Sequence, residues 1–298
     1  MNRAVIALVT CSLASFLAPF WAARTATAAD LEEVRARGVL KHLGVPYANF
    51  VSGAGDGMDV EMIQAFAKSL GVGYEYVQTD WGTVLPDLTG RAVKMANGHA
   101  ELQGNVPAKG DLVANGFTML PWRQEVVSFS APTFPSQIWL VARADSKVRP
   151  IAPTEDIHKD IELTRALMKN RRVLTLEKTC LDDSLYDLPA AGAKVVVFKG
   201  KLNELAPALM NGEAEMTILD VPDALVALEK WHSRIKILGP ISDKQQMGVA
   251  FPKNEPKLLA AFAAFLAKAQ RDGSYLKLVR KYYPAATGYF PEFFKGMR

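Results

Sequence analysis

The chain contains the run Gly116-Phe117-Thr118-Met119-Leu120-Pro121-Trp122-Arg123, which is followed by Glu125-Val126-Val127-Ser128-Phe129-Ser130-Ala131-Pro132. A glycine, a hydroxyl and a guanidinium therefore lie close together, just after a short apolar segment at residues 112–114. Arginine offers a planar fork of donors that matches a carboxylate, and a hydroxyl and free backbone N–H groups can complete the shell of the anion. Gly116, Thr118 and Arg123 are thus candidates for a carboxylate site. The alternative is that the arginine is a solvated surface charge.

Four further segments strengthen the carboxylate interpretation. They are residues 211–222, 247–253, 272–275 and 281–283. Together with the first run and its Phe-Ser-x-Pro continuation, they resemble, in order, the periplasmic amino-acid-binding proteins of ABC transporters, the family-3 solute-binding proteins. The resemblance extends from about Gly38 to about Pro284.

The fold class is indicated first by periodicity and then, more closely, by the resemblance. Short apolar runs alternate with stretches of helical period such as residues 60–70 and 258–270, which predicts α/β layers with mostly parallel sheets. The resemblance implies a type II periplasmic-binding fold with two lobes, each a mixed sheet flanked by helices, joined by a two-strand hinge. Lobe 1 would comprise residues 29–140 and 240–298, and lobe 2 residues 141–239. A ligand cleft between the lobes would close about the hinge.

The N-terminus has the features of a secretory signal. Arg3 is followed by an almost wholly apolar stretch and then by the small residues Ala26-Thr27-Ala28. We therefore expect residues 1–28 to be a signal peptide that is cleaved near Ala28, and the mature protein to be periplasmic. An uncleaved membrane anchor and a lipid-modified Cys11 are the two alternatives.

The net charge and the numbers of cysteines and histidines argue against nucleic-acid binding, an internal disulfide and a metal site. The formal net charge is +4, and it falls to +2 without the signal peptide, which holds two arginines and no acidic residue. Such a balanced chain offers no basic stripe for nucleic acid. Cys180 would be the only remaining cysteine, so no internal disulfide can form. We expect no metal and no cofactor, because the four histidines are too widely spaced to suggest a site: His42, His99, His158 and His232.

Two positions are candidates for aromatic contact with a ligand. The resemblance places an aromatic residue in the loop after the first strand, where Tyr47 and Phe50 both qualify, and a second one at Trp81. Two aromatic faces would supply apolar contact and, for a ligand ammonium, cation–π attraction of about 0.5 to 2 kcal/mol. Ordinary packing in the protein interior is the alternative for Tyr47 and Phe50.

Asp220 is the candidate for binding an amino group. It ends the strand-like run at residues 216–219, and open α/β sheets bind ligands at the carboxyl ends of their strands. The resemblance supports this role, whereas Pro222 also allows Asp220 to be a helix N-cap that serves only the fold. With Arg123 on the opposite lobe, Asp220 would hold the second charge of a zwitterion.

Residues 178–183, Lys-Thr-Cys-Leu-Asp-Asp, occupy the place where the family has Gly-Thr or Gly-Ser at the start of a lobe-2 helix that meets the ligand carboxylate. Thr179 fits this pattern. Lys178 in place of glycine, and Asp182 and Asp183 in the first helical turn, do not fit. Gly44 is a second departure, because many members have an aspartate close to that position. Both departures argue against a standard α-amino acid as ligand.

Residues 91–109 form an insertion relative to the family's usual connection. They contain several Gly and Asn residues and predict a turn-containing loop or hairpin. The segment is either surface decoration or a lid or partner surface near the cleft.

These features predict a non-enzymatic receptor that captures a small amino-acid-like or carboxylate solute and delivers it to a membrane ABC permease. We expect it to act as a monomer. Two alternatives stay open, a periplasmic enzyme of the same fold, such as a cyclohexadienyl dehydratase, and an accessory docking protein. No spacing of a nucleophile and a base favours the enzyme.

Overall fold

The structure of the protein, a computed structural model, describes residues 30–52, 55–96 and 98–297. The predicted signal peptide, with Cys11, lies outside the described residues. Among the residues described, no helix combines the length and the apolar character needed to cross a membrane.

The described chain alternates between helices and strands. The helices are α1 (Leu31–Arg37), α2 (Met58–Leu70), α3 (Val84–Thr89), α4 (Pro121–Gln124), α5 (Ile157–Ala166), α6 (Leu205–Met210), α7 (Val221–Lys230), α8 (Pro256–Asp272), α9 (Ser274–Tyr282), α10 (Ala286–Tyr289) and α11 (Pro291–Phe294). The strands are β1 (Val39–Gly44), β2 (Gly73–Gln78), β3 (Arg91–Ala96), β4 (His99–Asn105), β5 (Leu112–Val113), β6 (Val127–Phe129), β7 (Phe134–Ser136), β8 (Ile138–Arg143), β9 (Arg172–Thr175), β10 (Lys194–Val197), β11 (Met216–Asp220), β12 (Ile235–Pro240), β13 (Gln245–Met247) and β14 (Ala250–Pro252).

The first sheet has the strand order β2-β1-β5-β14-β6. Strand β1 is parallel to β2 and β5, whereas β14 is antiparallel to β5 and β6. Helices α2 and α3 pack directly on this sheet. Because β14 comes from late in the chain and lies between β5 and β6, both ends of the chain build this unit, which we call the first lobe.

The second sheet has the strand order β10-β9-β11-β8-β12. Strand β9 is parallel to β10 and β11, and β8 is antiparallel to β11 and β12. Helices α5, α6 and α7 pack on this sheet, and we call the unit the second lobe. The chain enters it between β7 and β8 and leaves it between β12 and β13, and β7 and β13 pair as an antiparallel ribbon beside these two crossings.

Most local predictions agree with the structure. Helices α2 and α8 cover the predicted helical stretches, and they end at Gly71 and Gly273, whose φ angles of 74° and 83° lie in the left-handed region that favours glycine. The expectation of mostly parallel sheets is wrong, because each sheet contains two parallel and two antiparallel strand pairs. A continuous apolar run such as β8 indicates burial on both faces but not strand direction. The boundaries of the two lobes at residues 140 and 240 stay a prediction.

Candidate ligand-binding site

Gly116 lies just after β5, where the candidate carboxylate segment leaves the first sheet. Its φ is 63°, and an added Cβ would lie 2.8 Å from Cε1 of Tyr47 and closer still to the ring of Phe50. Its N–H donates to Oδ2 of the buried Asp59 at 2.7 Å. Glycine is therefore required here both by the backbone conformation and by the two aromatic rings that pack against it.

Arg123 lies on the short helix α4 and is 2% exposed. Its Cζ atom is 4.1 Å from the ring centroid of Phe117, 5.1 Å from that of Trp122 and 5.8 Å from that of Trp81. Nη1 donates to the Thr118 carbonyl at 3.0 Å. The sequence-based alternative of a solvated surface charge is wrong.

The charge of this buried guanidinium is not balanced by an acidic side chain of the described residues. Within the described part of the chain, no carboxylate pairs with Arg123, and its Nε has no hydrogen-bond partner. Burial lowers its pKa to about 10, so it stays charged at neutral pH. A buried cation without a counter-charge is costly, and an anionic ligand would remove that cost.

The predicted aromatic residues differ in their positions. Tyr47 is buried, and its ring meets that of Trp81 edge to face with the centroids 5.8 Å apart. Trp81 also stacks on Phe117 beneath the guanidinium of Arg123. Phe50 is fully buried, with its ring 5.2 Å from Phe134. Phe50 thus packs against other aromatic rings, and its role as a ligand contact stays a prediction, while Tyr47 and Trp81 lie nearer the charged groups.

Asp220 ends β11 and is fully buried. Its Oδ1 accepts from the N–H of Asp223 at 3.3 Å, so it caps helix α7. Its Oδ2 accepts the Tyr47 hydroxyl of the first lobe and lies 3.3 Å from Sγ of Cys180. Burial raises the pKa of Asp220, and the hydrogen bond from Tyr47 opposes that shift. The residue is thus both a cap and a contact between the lobes.

Cys180 and Tyr186 complete the second-lobe side of the cleft. Burial, and next the nearby Asp220, raise the pKa of the Cys180 thiol, which also interacts with the Thr118 side chain of the first lobe. The Tyr186 hydroxyl donates to the Cys180 carbonyl at 2.7 Å and accepts from Nε2 of Gln245 at 3.2 Å. Sequence analysis missed Tyr186 as a site residue, since the contacts that bring it there are set by the fold.

The predicted helix start at residues 178–183 is wrong. The segment forms a turn, and only a short 3-10 helix follows at Asp183–Leu185. Lys178 has a φ of 63°, so it adopts the backbone conformation that glycine favours. Asp182 accepts from the Lys178 N–H at 3.0 Å and from the Ser184 N–H at 3.1 Å. Two N–H groups of the turn are therefore satisfied by the Asp182 carboxylate.

Thr179 is buried in the same turn. Its hydroxyl donates to the Leu176 carbonyl at 2.7 Å and accepts from the Leu181 N–H at 3.0 Å. A hydroxyl oxygen has one further lone pair, so a single hydrogen bond from a ligand donor is still possible. Thr179 can therefore accept from a ligand but has no proton left to give to a carboxylate.

The inserted segment forms the antiparallel β3–β4 hairpin beside the cleft. Glu125, two residues after Arg123, accepts from Nδ1 of His99 and from the N–H of Ala100, each at 2.6 Å. A cavity of about 540 Å³ lies between this hairpin, the first lobe and the residue 178–185 turn. Two predicted site residues, Trp81 and Thr179, line it.

A larger cavity of about 670 Å³ lies elsewhere, between the β7–β13 ribbon and the C-terminal helices. The described residues that line it include Trp139, Phe290 and Phe293 but none of the predicted site residues. The smaller cavity is lined by Trp81, whose ring lies 5.8 Å from Cζ of Arg123, and by Thr179 of the second lobe, so we place the candidate site beside it.

Comparison with known proteins identifies the family of the chain. Residues 102–285 match the bacterial extracellular solute-binding proteins, family 3. The chain belongs to this family. A probable amino-acid ABC transporter-binding protein of Haemophilus influenzae is 25% identical over 228 residues, which cover 75% of this chain and 74% of that protein.

Solved structures support the fold assignment of this family-3 solute-binding protein. A mutant of ArgBP from T. maritima superposes with a TM-score of 0.66 at 24% identity, covering 85% of this chain and 99% of that one. The ancestral amino-acid-binding protein AncCDT-1, described as a precursor of cyclohexadienyl dehydratase, gives 0.65 at 24% identity, covering 86% and 100%. The predicted family and the two-lobe type II periplasmic-binding fold are confirmed.

Proposed function

We propose that this family-3 protein is a non-enzymatic periplasmic receptor that captures a small amino-acid-like or carboxylate solute by lobe closure and delivers it to an ABC permease. It is exported through the signal at residues 1–28 and works as a monomer. Lobe closure takes place between residues 29–140 with 240–298 on one side and residues 141–239 on the other.

One observation carries the proposal, the burial of Arg123 without an anionic partner. A guanidinium held on three aromatic rings is preorganised for binding a carboxylate, and its Nε has no hydrogen-bond partner among the described residues. The proposed ligand-contacting residues are Tyr47, Trp81, Gly116, Thr118, Arg123, Thr179 and Asp220.

The second-lobe part of the proposed site serves the rest of the ligand. Asp220 and the hydroxyl of Tyr47 lie where the two lobes touch. A ligand ammonium would replace the hydrogen bond that the Tyr47 hydroxyl donates to Asp220. The Thr179 hydroxyl can accept one hydrogen bond from the ligand. The two lobes therefore supply different chemistry, a cation from the first and acceptors from the second.

The test is a thermal-shift screen with amino acids, keto acids and dicarboxylates, followed by calorimetry. A ligand at 100 times its dissociation constant adds roughly 2.7 kcal/mol of stability, which is readily measured. We expect a carboxylate to stabilise the protein and to be recovered unchanged. Formation of a product, followed by NMR, would indicate an enzyme, and the absence of any ligand would indicate an accessory docking protein.

A further inference from the structure

We propose that the ligand carries a large apolar group, such as an aromatic ring, and that this group occupies the cavity between the β3–β4 hairpin and the residue 178–185 turn. This inference rests on the proposed function, because it assumes that the ligand carboxylate binds Arg123. It specifies the class of solute that the same site selects.

The cavity shares two aromatic side chains with the surroundings of Arg123. Trp81 lines it and also lies 5.8 Å from Cζ of Arg123, and Trp122, the residue before Arg123, lines it as well. Thr179 lines it from the second lobe. Because the rings of Trp81 and Trp122 lie beside both the guanidinium and the cavity, we expect the remainder of a ligand whose carboxylate binds Arg123 to extend toward this space. A volume of about 540 Å³ is within the range of small-molecule sites.

The walls of the cavity are largely apolar. The apolar side chains that line it include Trp81, Leu85, Val93, Met95, Trp122 and Leu185. The hairpin that supplies Val93 and Met95 is attached to the end of α4 by the two hydrogen bonds to Glu125. The wall is thus fixed to the same segment that carries Arg123, so it has a defined position relative to the ligand carboxylate.

The charges around the cavity disfavour a cationic side chain on the ligand. Arg123 already lies over the faces of Trp81 and Trp122, and Lys178 adds a second cation to the lining. Asp182 is the only acid among the described lining residues, and its oxygens accept from the N–H groups of Lys178 and Ser184. Burying an apolar group here is favourable, whereas a guanidinium or ammonium would meet two like charges, Arg123 and Lys178, against the single carboxylate of Asp182.

Calorimetry with matched ligand pairs tests the inference. The pairs are L-phenylalanine with L-alanine and phenylpyruvate with pyruvate, and L-arginine is the cationic comparison. We expect the aromatic member of each pair to bind at least about tenfold more tightly than the small one, and more tightly than arginine. Equal affinities within both pairs, or arginine as the tightest ligand, would overturn this inference and leave the receptor function standing. If no carboxylate binds, the proposed function itself fails.

A substitution in the hairpin tests the location. Met95 is 47% exposed, so Met95→Glu is compatible with folding, and it places a carboxylate in the apolar wall. We expect the aromatic ligand to bind roughly tenfold more weakly and the preference over arginine to shrink. Leu163→Glu is the matched control, since Leu163 is 42% exposed on α5 outside the cavity. Equal affinities for the two variants would show that the ring binds elsewhere.

Discussion

The two sides of the cleft differ in how their polar groups are satisfied. On the first lobe, Arg123 is buried on aromatic rings with its charge unpaired and its Nε unbonded. On the second lobe, Asp220 accepts from Tyr47 and from the Asp223 N–H, and Asp182 accepts from two N–H groups of its own turn. The first side thus holds a buried cation with no carboxylate partner among the described residues, whereas the acidic groups of the second side accept hydrogen bonds from the protein itself.

This difference suggests that the two sides bind different groups of the ligand, the carboxylate on the first lobe and the ammonium on the second. A carboxylate at Arg123 would meet a guanidinium that already lies between three rings and has no carboxylate partner among the described residues. An ammonium at Asp220 must first displace the Tyr47 hydroxyl or the Cys180 thiol, and burial has raised the pKa of this carboxyl. We therefore infer that the carboxylate supplies most of the affinity and that the contacts of Asp220 tune selectivity and lobe closure.

The largest effect is expected from Arg123→Ala. Removing one partner of a desolvated charge pair costs about 2 to 5 kcal/mol, so affinity for the carboxylate ligand should fall some thirtyfold to several-thousandfold. Calorimetry measures this loss, and Arg143→Ala is the control, since Arg143 pairs with the exposed Asp145 and lies on β8. Near-native affinity in a folded Arg123→Ala protein would show that Arg123 does not bind the ligand carboxylate.

The second expected effect is on stability. Gly116→Ala introduces a Cβ at a φ of 63° and against two aromatic rings, so we expect it to lower the free energy of unfolding by about 2 to 4 kcal/mol. Gly38→Ala is the matched control, because Gly38 has a φ of 74° but no neighbour within 4 Å of an added Cβ. Its cost should be about 1 kcal/mol. Denaturant unfolding of both variants gives the difference, and equal costs would mean that the rings move aside.

Asp220→Asn should have a smaller and selective effect. Asparagine is also a good N-cap, so helix α7 should be retained while the charge that attracts an ammonium is lost. We expect L-phenylalanine to bind about tenfold more weakly, with 3-phenylpropionate, which lacks the amine, nearly unaffected. Equal losses for the two ligands, measured by calorimetry, would show that Asp220 serves only the fold.

Much of the fold was predictable because local patterns determine it. Helices α2 and α8 follow from their apolar periodicity and their terminal glycines, and the order of the family segments implied the two-lobe topology. Strand directions were not predictable, because a buried apolar run such as β8 has the same residue pattern whether its neighbours are parallel or antiparallel. Non-local pairing decided that β8 lies antiparallel to both of its neighbours.

The site was predictable only in part. The segment from Gly116 to Arg123 indicated an anion site because the residue types themselves carry that chemistry. The turn at residues 178–182 was not foreseen, since the choice between a helix start and a turn depends on where the Asp182 carboxylate finds its donors. Tyr186 reaches the cleft through contacts with Cys180 and Gln245, which no spacing in the sequence reveals.

The smallest expected effect concerns the reactivity of Cys180, the only cysteine after residue 28. Its thiol is buried at the lobe contact and burial raises its pKa, so maleimide labelling at neutral pH should be slow and should require the lobes to open. A saturating carboxylate ligand, by holding the lobes closed, should slow labelling further by about tenfold. Mass spectrometry over time measures the rate, and Cys180→Ser gives the background. Equal rates with and without ligand would show that ligand binding does not close the cleft over this thiol, and that the second lobe takes no part in capture.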